Sequence, residues 1–159
     1  MPIVYDKSRK IFHLQAGDTS YIMQIVKEKY LVHLYWGRRI SSYHESRRII
    51  WKDRGFAPNP DTSDRTFSLD TLPQEYPQTG NGDFRNPAYG IRQENGSRIS
   101  NLEYIGYEIS DGKPKLPGLP ASSGSKKDVQ TLKVYMEDAV AGLKVCLLYS
   151  VFASESVIT

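Results

Sequence analysis

Apolar and polar positions alternate with a period of two through most of the chain. In TLKVYME, Leu132, Val134 and Met136 face one way and Lys133, Tyr135 and Glu137 the other, which predicts a half-buried strand. After a turn over residues 138–142, Leu143, Val145, Leu147, Tyr149 and Val151 alternate with Lys144, Cys146, Leu148, Ser150 and Phe152. This second strand is apolar on both faces, which places it inside a sheet or between two sheets. Asn95-Gly96 carries the signature of a type I′ turn and predicts a hairpin joining AYGIRQE to SRISNLEYIGYEI. Near the N-terminus, IFHLQ, TSYIMQIV and YLVHLYW are three more β-rich runs, punctuated by Gly17-Asp18 and Lys27-Glu28-Lys29.

Helical period is nearly absent. SSYHESRRIIWK offers Ser41 or Ser42 as a cap and Glu45 in a first turn, but its apolar residues form no clean stripe. Short strands with Gly, Pro and Asn turns between them predict an all-β fold, an antiparallel sandwich of two packed sheets with long ordered loops. Residues 54–88 carry Pro58, Pro60, Pro73, Pro77 and Pro87 among many Asn, Asp and Gly, which favours an irregular ordered loop, the kind of element that often carries function. Residues 111–128, DGKPKLPGLPASSGSKKD, read as a surface connection. The closing SVIT reads as the start of a strand, so the chain is expected to continue.

Composition narrows the function classes. The 159 residues, 39% hydrophobic and 25% charged, suffice for one domain with a core, and no apolar run approaches the roughly 18 residues of a membrane span. MPIVYDKSRK lacks the apolar stretch of a secretory signal. The lone Cys146 cannot pair within the chain, which fits a reducing cytoplasm, and its place in LKVCLLYSV makes it a small core hydrophobe. A net charge of +3 demands no polyanionic partner.

The chemical candidates are few. His13, His33 and His44 are too scattered for a metal site, and satisfied strand histidines explain them better. The Gly80-Asn81-Gly82 run lacks the strand-to-helix context and lysine of a phosphate loop, and no GxSxG serine motif is present. Asp61 and Asp64 suit Asx-turns, Asp83 suits a loop salt bridge, and turn roles account better for Asp70 and Glu75 than catalysis does. Arg38, Arg39, Arg47, Arg48, Lys52 and Arg54 with Tyr43 and Trp51 could form a nucleic-acid surface, though no oligonucleotide-binding motif accompanies them. In IIWKDRGFAPNPD, residues 49–61, Asp53 stands between Lys52 and Arg54 with Trp51 and Phe56 nearby. Aromatic rings that cover a pyranose and a carboxylate that accepts from sugar hydroxyls would use these residue types, while packing of the loop on its own sandwich would equally account for the rings.

The runs IFHLQAGDTSYIMQI, YLVHLYWG, FAPNPDTSDRTFSLDTLPQEYPQTGNGDFRNPAYGIRQENGS and KPKLPGLPA resemble the N-terminal domain of microbial α-galactosidases of glycoside hydrolase family 36. The resemblance covers nearly the whole chain. It implies a β-supersandwich, here residues 1–159, that precedes a (β/α)₈ catalytic barrel. The nucleophile and acid/base aspartates would lie in that barrel, so no catalytic residue, metal or cofactor is expected in this chain, which alone would be inactive. By position in KDRGFAPNP, the resemblance assigns Asp53 to binding of substrate galactose. It also implies a cytoplasmic homotetramer whose partners are α-galactoside sugars and its own barrel, with no nucleic acid or membrane. The alternatives are a stand-alone carbohydrate-binding β-sandwich and a basic-patch nucleic-acid binder.

Overall fold

The computed structural model describes residues 1–44, 49–56, 58–119, 124 and 126–159. Seven strands form two antiparallel sheets. The first runs in the order β1 (Ile3–Asp6), β2 (Ile11–Ala16), β3 (Thr19–Val26) and β4 (Tyr30–Arg38), and the second in the order β5 (Glu103–Asp111), β6 (Val129–Asp138) and β7 (Leu143–Phe152). A single 3₁₀ turn, Leu69–Thr71, is the one helical element among the described residues, and no helix there is long and apolar enough to cross a membrane. The expected all-β sandwich is the fold observed.

Alternation builds the space between the sheets. Phe12, Leu14, Met23, Ile25 and Leu31 of the first sheet meet Leu132, Val134, Met136 and Val151 of the second. The Tyr5 ring stacks on Phe12 at 4.5 Å, and Tyr107 meets Phe12 edge-on at 5.1 Å, carrying aromatic contact across the gap. Each such side chain contributes about 1.5–3 kcal/mol when fully buried.

A second apolar layer lies on the opposite face of the first sheet. There Ile11, Ile22, Val26, Tyr30, Val32 and Leu34 are covered by Ile49, Phe67, Leu69 and Leu72 from the long loop. That loop reaches the free edge of β4, where Val32 bridges Gln74 and the Glu75 amide donates to the Leu31 carbonyl at 2.9 Å.

Four expectations need correction. Asn95-Gly96 makes no type I′ hairpin: only Gly96 of the pair has positive φ, Asn95 Oδ1 accepts from the Ser97 amide in an Asx-turn, and β5 begins at Glu103. The type I′ signature of two successive positive φ values falls instead at Lys27 (52°) and Glu28 (62°), in the turn joining β3 to β4. β7 is an edge strand of its sheet; on its second apolar face Leu148 lines a cleft with Pro114, Leu116 and Leu119 of the 111–128 connection, and Phe152 lies close to Gly124. Cys146 consequently points outward and is exposed. The helix considered over residues 41–52 is not seen in its described residues, while Glu45, Arg47 and Arg48 lie outside them.

Gly17, at φ +48°, opens the β2–β3 turn, and a Cβ there would come within 2.7 Å of the Ser156 amide. The Asp18 amide donates to Ser156 Oγ, and Ser150 and Thr159 exchange backbone hydrogen bonds, so the last residues pair along β7.

Candidate functional site

The loop bearing Asp53 is pinned at both ends by apolar residues, Ile49 and Phe67, that enter the second core layer. Between them the polar residues fold the chain locally. Asp61 Oδ1 accepts from the Ser63 amide and hydroxyl, and Asp64 Oδ1 accepts from the Thr66 amide and hydroxyl, giving two successive Asx-turns. Lys27 ties both turns to the β3–β4 corner, donating to Asp61 at 3.2 Å and Asp64 at 2.7 Å. The Lys27 and Thr66 bonds hold the Asp64 carboxyl down at about 2, against an ordinary 3.8. A carboxyl lowered in the folded state stabilises fully above its unfolded pKa and loses that contribution as pH falls through the folded one. The denaturation midpoint is therefore expected to fall between about pH 4 and pH 2, and less steeply in Lys27→Met; equal slopes in titrated urea melts would discount the Lys27 clasp.

Arg54 anchors the middle of the loop. Its Nη2 donates to Asp70 at 2.5 and 2.7 Å and to Ser68 Oγ at 2.7 Å, and this pairing lowers the Asp70 carboxyl. The Lys52 amide reaches the Thr66 carbonyl at 3.4 Å. Asp53, the neighbour of Arg54, has no such anchor. Its carboxylate is 54% exposed and meets Arg65, itself 72% exposed, at 3.3 Å. An ion pair so open to water holds weakly.

The aromatics divide. Trp51 is half-exposed and lies over Phe67 with ring centroids 5.8 Å apart, so packing on the sandwich accounts for one of its faces. Phe56 stands wholly in solvent at φ +59°, a conformation costly for a bulky residue. Neither ring is bonded to Asp53; what the three share is the loop. Pro58 closes that loop onto Gly82, where a Cβ would lie 1.9 Å from the proline ring. The GNG run thus serves a close approach of two loops, and Phe84 is exposed just beyond it.

The remaining carboxylates are engaged. Asp83 is buried and paired with Arg85, as expected of a loop salt bridge. Glu75 is no turn cap. Its side chain, 8% exposed, accepts from the Tyr21 hydroxyl at 2.5 Å and the Tyr149 hydroxyl at 2.8 Å, with His33 Nδ1 at 3.4 Å. Burial first, and the bonded carboxylate after it, push both phenols well above their usual range. Sequence reasoning missed this bridge between sheets, and it missed Arg65 as the partner of Asp53; the SDR triplet two turns on was the available signal.

The histidines stay apart. His13 bonds Ser20, His33 lies beside Glu75, and His44, in a loop rather than a strand, bonds Ser42; among the described residues no three His, Cys, Asp or Glu groups gather as a metal site. The basic residues are also divided. Arg39 is tied to the Gly17 carbonyl and Gln15, and Arg54 to Asp70, while Arg47 and Arg48 lie outside the described residues.

Known proteins bear on the identity of this loop-covered sandwich. The profile described as the glycosyl hydrolase family 36 N-terminal domain matches residues 29–159. The chain is 47% identical over its whole length to the α-galactosidase AgaA of Geobacillus stearothermophilus, covering 22% of that protein. It is 44% identical, again over its whole length, to the bifunctional α-galactosidase/sucrose kinase AgaSK of Mediterraneibacter gnavus, covering 17% of it. The crystal structure of the family 36 α-galactosidase AgaB from Geobacillus stearothermophilus superposes with a TM-score of 0.90 at 47% identity, over 99% of this chain and 21% of that one. A variant of AgaA solved in complex with raffinose gives 0.87 at 48% identity, over 94% of this chain and 21% of that one. The chain thus spans about a fifth of the length of these relatives. With one fold, one profile and near-half identity in agreement, it belongs to the family of N-terminal domains of family 36 glycosyl hydrolases.

Proposed function

We propose that this chain is the non-catalytic N-terminal domain of a retaining, cytoplasmic α-galactosidase that releases terminal α-linked galactose from raffinose- or melibiose-type oligosaccharides. In the proposal Asp53 lends a substrate-binding carboxylate to a sugar pocket whose catalytic carboxylates reside in the barrel of the same enzyme. In a retaining mechanism one carboxylate attacks the anomeric carbon while a second protonates the leaving oxygen, and water then resolves the glycosyl-enzyme. Asp53 takes neither part; it accepts hydrogen bonds from galactose hydroxyls and orients the ring.

The observation that carries this reading is the state of Asp53: a carboxylate on a loop pinned by Ile49, Phe67 and Arg54, yet facing solvent with Arg65 as a weak partner. Such a group is held in place without being consumed by the fold. Exposed Ile50, Trp51, Phe56 and Phe84 on this loop and the one beneath it supply apolar surface for contact between subunits of a tetramer.

In the complete enzyme, Asp53→Ala is expected to lower kcat/KM for raffinose by about 10- to 150-fold, corresponding to about 1.5–3 kcal/mol for a charged hydrogen bond. Kinetics equal to the parent enzyme would refute the role. The stand-alone sugar-binding reading is separated by the same variant, because there the isolated chain would lose its galactose affinity with Asp53.

A further inference from the structure

A polar cleft lies beside Phe67. Phe67 has the Trp51 ring at 5.8 Å, the Tyr30 ring at 5.6 Å and the Lys27 ammonium at 5.6 Å from its centroid. Tyr30, Lys27 and Phe67 line an open cleft of about 530 Å³, a size within the range of small-ligand sites of about 300–1,000 Å³.

Its walls are built from hydrogen-bonded side chains. Lys29 Nζ donates to Glu103 at 3.0 Å, Asn101 Nδ2 donates to the same oxygen at 3.0 Å, and Asn81 Nδ2 donates to Asn101 Oδ1 at 3.1 Å. Facing this chain, Lys27 donates to Asp61. Both lysines and both carboxylates that line the cleft are taken up in ion pairs, so it presents hydrogen-bond donors and acceptors that suit a neutral, hydroxyl-rich molecule.

One group is unanswered. Tyr30 is only 5% exposed, and its hydroxyl has no hydrogen bond among the described residues. Asp61 and Glu103 line the same cleft, and burial first, then these two carboxylates, push the Tyr30 phenol up to about 12. A hydroxyl that opens on the cleft with no protein partner is left for a ligand or water to answer.

We propose that this cleft is an accessory sugar subsite, in which one hexose unit of a neutral galactoside oligosaccharide bonds to the Tyr30 hydroxyl, Asn81, Asn101 and Glu103. The galactoside class rests on the function proposed above; the cleft itself is independent of Asp53.

The test is an NMR titration of the 159-residue chain with raffinose. The expected result is a dissociation constant of about 1–10 mM, with shifts centred on Tyr30, Asn81 and Asn101. Tyr30→Phe, which keeps the ring and removes the hydroxyl, should weaken binding about 5- to 10-fold, in line with one neutral hydrogen bond. Thr62→Trp, which fills the cleft from an exposed wall residue that makes none of the bonds above, should abolish it while leaving the melting temperature unchanged. No binding by the parent chain, unchanged binding by Tyr30→Phe and Thr62→Trp, or equal shifts with glycerol would overturn the subsite. None of these results bears on the kinetics of Asp53→Ala, so failure here and failure of the proposed function are told apart.

Discussion

Glu75→Leu is expected to destabilise the chain by about 2–4 kcal/mol, because two hydroxyls would lose their common acceptor inside the sandwich. Tyr21 comes from β3 and Tyr149 from β7, so the Glu75 carboxylate joins one sheet to the other through a residue of the long loop. Glu75→Gln retains an acceptor oxygen and should cost about 1 kcal/mol. The triple variant Tyr21→Phe/Tyr149→Phe/Glu75→Leu should recover most of the loss, since removing every polar partner leaves little desolvated and unpaired. Urea denaturation of the three proteins decides the matter. If the triple variant were no more stable than Glu75→Leu alone, the cost would lie in packing and not in the unsatisfied hydroxyls.

That bridge also marks where sequence reasoning stops. β2, β3, β4, β6 and β7 were legible because each repeats the two-residue alternation over at least six positions, long enough for one face to declare itself. β1, with four residues, gives no such run. The layer over the outer face of the first sheet left no pattern either. Ile49, Phe67, Leu69 and Leu72 reach it from a loop, at spacings fixed by Asx-turns and a 3₁₀ turn and not by a regular period. The type I′ geometry falls on Lys27-Glu28 and not on Asn95-Gly96, where the Asn95 side chain is spent on an Asx-turn with the Ser97 amide.

The site divides along the same line. Local spacing was enough to read Asp61, Asp64 and Asp83, whose partners lie two residues away. Glu75, whose partners lie 54 and 74 residues away, was beyond reach. Asp53 is the opposite case. The sequence offered it only as a carboxylate among aromatics, and its assignment to galactose came from family resemblance. The fold adds that Arg54 is bonded to Asp70, while the adjacent Asp53 is left open to solvent beside Arg65.

Asp83→Ala should cost a comparable amount, about 2–4 kcal/mol, and should do so by loosening the loop platform under the Asp53 segment. Burial by itself would raise the Asp83 carboxyl, but the side-chain and backbone bonds from Arg85 and the Gln74 amide outweigh it and hold the group below its usual range. Asp83 Oδ1 accepts from Arg85 Nε at 2.8 Å, and Oδ2 accepts from Arg85 Nη2 at 2.7 Å and Gln74 Nε2 at 2.9 Å. The same Nη2 donates to the Leu69 and Leu72 carbonyls at 2.9 and 2.7 Å, gripping the 3₁₀ turn that carries Asp70, the anchor of Arg54. Loss of Asp83 therefore propagates through Arg85 and Asp70 to the backbone that aims Asp53. Hydrogen exchange should show faster opening of the Gly80–Asp83 amide pair and of the Leu72 amide in Asp83→Ala, ahead of any change in β6. Asp83→Asn, which keeps both heavy atoms but not the charge, should lose less. Were Asp83→Ala to melt with the parent chain, the Asp83–Arg85 pair would be a passenger, and the rigidity of the Asp53 loop would have to come from Arg54 and the apolar anchors alone.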